Sequence, residues 1–124
     1  MDKKVFCFGN EFIEGDKAAL ELADHLRDNN TQGFEFIKCD SPEQLEGNSP
    51  IILDVVKGID KPMLFNIGKL QENKMFSLHD FDLGFNLQLM QEMGTIKNAD
   101  IIGIPADFHI KEMDRVIELL KVLR

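Results

Sequence analysis

The chain has 124 residues, 44% of them hydrophobic and 29% charged, enough for one domain spanning residues 1–124 around a single core and too few for two. A formal net charge of -8 excludes nucleic acid as the expected partner, because neutralising a phosphate backbone needs Lys and Arg clustered on one face. Lys3 and Lys4 precede only a short apolar run at 5–8, too brief for a signal peptide or a membrane span, so a cytoplasmic protein without membrane association is expected.

In chain order, Lys4-Val5-Phe6-Cys7-Phe8 is a run of β-formers that stops at Gly9-Asn10, the pattern of a buried strand meeting a loop. Asp16 can then open a helix in which Ala19, Leu22, Ala23 and Leu26 share one face while Lys17, Glu21, Asp24 and Arg27 face water, with Asn29-Asn30 and Gly33 ending it. Phe34-Glu35-Phe36-Ile37-Lys38 alternates as a second strand, and about one helical turn fits between Pro42 and Leu45.

Ile51-Ile52-Leu53-Asp54-Val55-Val56 shows no alternation, which predicts a strand covered on both faces, with Asp54 near its carboxyl end. The gap 57–62 is too short for a crossover helix, so Met63-Leu64-Phe65-Asn66-Ile67 is expected as an antiparallel neighbour. Residues 81–93 read as a helix with Leu83, Leu87 and Met90 on one face and Gly94 at the stop, preceded by the polar corner Ser77-Leu78-His79-Asp80. Asp100-Ile101-Ile102-Gly103-Ile104-Pro105 makes a last strand, and Met113, Val116, Ile117, Leu120 and Leu123 mark a closing amphipathic helix.

The order βαβββαβα predicts an α/β fold: a three-layer sandwich of phosphorylase/hydrolase-like type, with a mixed, mostly parallel five-stranded sheet and helices on both faces. In such folds sites gather at the carboxyl ends of strands. Asp16 after the first strand, Asp54 late in the third and His79 before the second helix stand where one sheet edge could unite them. Two carboxylates and an imidazole suit a borderline divalent ion, zinc or nickel.

Each residue also has a plainer account. Asp16 could simply complement a helix dipole, and His79-Asp80 could be a solvated capping loop. Asp54 is harder to explain away, since an ionised carboxylate in a buried run costs several kcal/mol unless it is paired or metal-bound. His25 and His109 read as surface residues. Cys7 and Cys39, without CxxC spacing, read as reduced core thiols.

These residues resemble the nickel-iron hydrogenase maturation proteases, the hydrogenase-processing endopeptidases. In that family a Gly-Asn pair ends the first strand and an acidic metal ligand follows six residues after the Asn, as in Gly9-Asn10 and Asp16. Asp54 matches the family's strand-end Asp, Ser77-Leu78-His79 its Ser/Thr-x-His corner with Leu83-Gly84 downstream, and Ile101-Ile102-Gly103-Ile104-Pro105 its last strand. Two positions depart: Gly15-Asp16 stands where two adjacent acids are common, and Ala19 where the first helix often has Gly.

The resemblance implies an endopeptidase that removes a C-terminal extension from a hydrogenase large-subunit precursor after nickel insertion. Asp16, Asp54 and His79 would be its catalytic residues and metal ligands. The nickel would be supplied by the precursor, and zinc or cadmium could substitute. The alternative is a shorter, non-proteolytic relative acting as a metal-binding or chaperone-type module. A receiver-type signalling domain fits less well, lacking an acidic pair after strand one and a Lys after the last strand. A dinucleotide-binding domain lacks GxGxxG.

Overall fold

The computed structural model describes residues 2–9, 17–29, 31, 33–72, 81 and 83–123. The strands are β1 (Lys3–Phe8), β2 (Phe34–Cys39), β3 (Ile51–Val55), β4 (Met63–Asn66) and β5 (Asp100–Ile104); the helices are α1 (Ala18–Asp28), α2 (Gly84–Glu92) and α3 (Met113–Val122). They form one five-stranded sheet in the order β2-β1-β3-β5-β4, parallel throughout except for β4.

Strand alternation divides the core in two. Val5 and Cys7 of β1, Leu53 and Val55 of β3, and Ile102 and Ile104 of β5 pack against Ala19, Leu22, Ala23 and Leu26 of α1 and Val116 and Leu120 of α3. On the other face Phe6, Phe8, Ile52, Val56, Phe65 and Ile101 pack with Leu87 of α2 and with Ile67 and Leu70 of the 3-10 segment Ile67–Glu72. The expected three-layer sandwich is therefore present. All of β3 is buried, as its unbroken apolar pattern requires of a central strand.

α1 is held less by capping than by its buried stripe, since no side chain caps its N-terminus. Arg27 near its end donates through Nε to the carbonyl of Phe36 at 3.0 Å, tying the helix to the edge strand β2. The single turn expected near Pro42 is the 3-10 helix Pro42–Gln44, where Ser41 Oγ accepts from the Glu43 N–H and Gln44 Oε1 accepts from the Ser41 N–H at 2.9 Å.

Two expectations are refined. β4 is antiparallel, but its partner is β5, which lies between it and β3; the short connection after β3 therefore closes no hairpin. The helix expected over 81–93 begins at Gly84, because Phe81 is spent on an isolated antiparallel bridge to Val56 and its carbonyl accepts from the Gly84 N–H at 3.0 Å. Its predicted stop holds: Gly94, at φ 76°, takes the left-handed conformation that ends a helix cheaply only for glycine.

Among the described residues no helix is long and apolar enough to cross a membrane.

Candidate active site

Asp54 sits one residue from the carboxyl end of the central strand. Alternation turns its side chain toward the α2 face, between Ile52 and Val56, and it is 2% exposed, the one polar or charged side chain buried in the core among the described residues. Its Oδ1 accepts a hydrogen bond from the Val55 N–H at 2.9 Å. A carboxylate at this depth is costly to keep ionised unless hydrogen bonds, a counter-charge or a metal compensate.

The described side chains beside it on this face of the sheet are apolar. Asp54 pairs in register with Gly103 of β5, and in a parallel pair the two positions share a face. A Cβ at 103 would stand 2.5 Å from Val56 Cγ2 and 3.1 Å from Phe65 Cε2, so the missing side chain lets Val56 and Phe65 close over this part of the sheet. Phe81 stacks edge-on against Phe65, with ring centroids 5.0 Å apart at 85°. Gly103, Val56, Phe65 and Phe81 are the residues the sequence reading did not single out; the available signal was a lone glycine inside an apolar strand, which marks a close approach.

Asp16 and His79, the other two residues of the expected trio, lie outside the described residues. Their described neighbours are informative. β1, β3 and β5 run parallel and end at the same edge, where Gly9 follows β1 and Asp54 stands in β3. Lys17, next after Asp16, adjoins the start of α1, and Phe81, two residues after His79, is bridged to Val56, two residues after Asp54. Among the described residues alone, no three His, Cys, Asp or Glu side chains stand together as a metal site.

The remaining nucleophile and ligand candidates behave as expected. Cys7 and Cys39 are free and buried. They face opposite sides of the sheet, Cys7 toward α1 and Cys39 toward the α2 layer. Burial raises the Cys7 thiol far above its ordinary value, and burial, with smaller contributions from Asp40 and Glu46, raises Cys39 to about 11. Neither is an activated thiolate. His25 and His109 are exposed. An open depression of about 590 Å³ lies at the opposite, amino-terminal edge of β2, lined by Asp2, Arg27, Gly33 and Glu35 among others, away from Asp54.

No protein-family model and no curated protein matches the chain. Solved structures do. The hydrogenase-maturating endopeptidase HybD from Escherichia coli aligns with TM-score 0.58 at 19% identity, over 99% of this chain and 90% of its own. The nickel-iron hydrogenase maturation protease HycI from Thermococcus kodakarensis aligns with TM-score 0.57 at 15% identity, over 98% and 91%. An uncharacterized protein from Wolinella succinogenes aligns with TM-score 0.61 at 17% identity, over the full length of both chains.

The chain has the fold of the hydrogenase maturation proteases. At these identities the likeness is one of fold. It agrees with the resemblance carried by Gly9-Asn10, Asp54 and Ile101-Ile102-Gly103-Ile104-Pro105. The maturation-protease fold also displaces the receiver reading, whose strict βα alternation is broken where β3 leads to β4 without a helix between them.

Proposed function

We propose that this protein is an endopeptidase of the hydrogenase-maturation type, acting on the C-terminal extension of a hydrogenase large-subunit precursor that already carries nickel. The single observation that carries the reading is Asp54: a carboxylate 2% exposed at the carboxyl end of the central strand, in a chain with this fold and with Gly9-Asn10, Asp16 and His79 at the spacings of that family. Function accounts for a buried acid that core packing would otherwise disfavour.

In this reading Asp54, Asp16 and His79 grip the substrate's nickel, an oxygen and nitrogen donor set suited to a borderline divalent ion. The ion would supply Lewis acidity toward the scissile carbonyl or an attacking water. The protein's own part is to hold Asp54 rigidly, with Oδ1 anchored on the Val55 N–H, and to exclude water from its apolar side with Val56 and Phe65. No thiol takes part, since both cysteines are buried with raised pKa values.

The test is incubation with a nickel-loaded large-subunit precursor, followed by mass spectrometry of the precursor. The expected result is loss of a C-terminal peptide with the wild-type protein and none with Asp54→Asn or Asp16→Asn. An intact precursor, alongside retained nickel capture, would instead support the non-proteolytic metal-binding or chaperone-type relative.

A further inference from the structure

An open sheet has two edge strands, here β2 and β4. β4 is four residues long, gives way to the 3-10 segment at Ile67, and ends on Asn66, whose Nδ2 donates to Asp100 Oδ1 at 2.8 Å. A strand this short offers little to an incoming chain. β2 is six residues long. The Lys3 N–H donates to the Gly33 carbonyl at 2.9 Å, so alternation aims the backbone groups of Glu35 and Ile37 at β1 and those of Phe36 and Lys38 outward. The open depression beside Gly33, Phe34 and Glu35 leaves this edge reachable from solvent.

One side chain lies across that edge. Arg27 of α1 donates through both Nε and Nη2 to the Phe36 carbonyl, the Nε bond at 3.0 Å, and so fills the acceptor that a neighbouring strand would use. Asp24, three residues earlier on α1, holds the cluster together: its Oδ2 accepts from Lys38 Nζ at 2.7 Å, and its Oδ1 lies 3.6 Å from Arg27 Nη1. Two cations thus gather where Phe36 faces outward. Positive charge on an edge strand opposes pairing with another copy, whose own cations would be brought against it.

Within this chain, the strand best matched to the edge is the β2 of a second copy. It has the same length, whereas β4 would cover only four of the six residues. Antiparallel pairing centred on Phe36 is also self-complementary, as closed two-fold symmetry requires. In that arrangement the two Phe36 positions face each other, so the two Arg27 guanidiniums would meet at the axis. The edges cannot join until both have left.

We propose that Arg27, held by Asp24, is a guard that keeps the β2 edges of two copies from pairing into one continuous sheet. This guard is independent of what Asp54 does.

Sedimentation equilibrium of the full chain tests it, with each variant checked for folding by circular dichroism. Arg27→Met keeps an apolar stem and loses the donors; it is expected to raise the weight-average mass about twofold over wild type at the same protein concentration. Arg27→Lys, which keeps a donor and the charge, should stay with wild type. Adding Lys38→Pro to Arg27→Met should return the mass to the wild-type value, because proline removes an outward N–H that the pairing of copies needs and spares the bonds to β1. A folded Arg27→Met protein with the mass of wild type would overturn the guard, and so would association that survives Lys38→Pro. Wild-type protein that itself loses association on Lys38→Pro would show the edge already open, and would overturn it equally. Asp24 is exposed, so Asp24→Asn leaves the fold in place and should raise the mass part-way. It decides the matter if Arg27→Met does not fold, and an unchanged mass then counts against the guard.

Discussion

Asp54 and Gly103 face each other across two parallel strands, and each explains a constraint on the other's surroundings. The carboxylate stands at the edge of an apolar layer, and the glycine lets Val56 and Phe65 complete that layer. Gly103→Ala should cost about 1–3 kcal/mol, the usual range for forcing an extra methyl into a packed core, read as a lowered urea midpoint; an unchanged midpoint would show that Val56 moves aside freely. The two thiols make a second residue-scale prediction. Cys39 keeps its proton up to about 11, against 9.0 for an ordinary thiol, chiefly because it is buried. The unfolded chain gives up that proton first, so this stabilising contribution is fully present below pH 9 and is lost as the pH rises toward about 11. Urea midpoints at pH 8 and pH 10.5 should differ, and Cys39→Ala should narrow the difference. At pH 8 a thiol reagent should label Cys7 and Cys39 only after denaturation.

At the scale of elements, much was legible because apolar periodicity reports burial directly. Ala19, Leu22, Ala23 and Leu26 announced the buried face of α1, and the unbroken run around Leu53 announced a central strand. The start of α2 was not legible: Phe81 suits a helix by composition, and only its bridge to Val56, a contact between distant segments, removes it from one. The partner of β4 was hidden for the same reason, since a short connection fixes direction but not which strand will be inserted beside it. α2 also separates its two faces sharply. Leu87 is fully buried whereas Phe85 is 73% exposed. Leu87→Ala should therefore cost about 2–5 kcal/mol by chemical denaturation. Phe85→Ser should shift stability by no more than about 0.5 kcal/mol. Similar losses from both would contradict the placement of α2.

For the whole molecule, three parallel strands end at one edge, where Asp54 stands. β1, β3 and β5 bring Gly9, Asp54 and the close of the last strand together, with α1 and α3 on one side and α2 on the other. Asp54 could be suspected from the sequence because a charge inside an apolar run is conspicuous. Its apolar wall could not, since Val56, Phe65, Phe81 and Gly103 meet only through strand order and register. Asp54 is proposed to work with Asp16 and His79 as a nickel-binding trio. Calorimetric titration with nickel at pH 7 tests it most directly. One site is expected in the wild-type protein, lost in Asp54→Asn and His79→Ala and weakened below about pH 6, where an imidazole takes up a proton. Undiminished nickel binding by Asp54→Asn would contradict it.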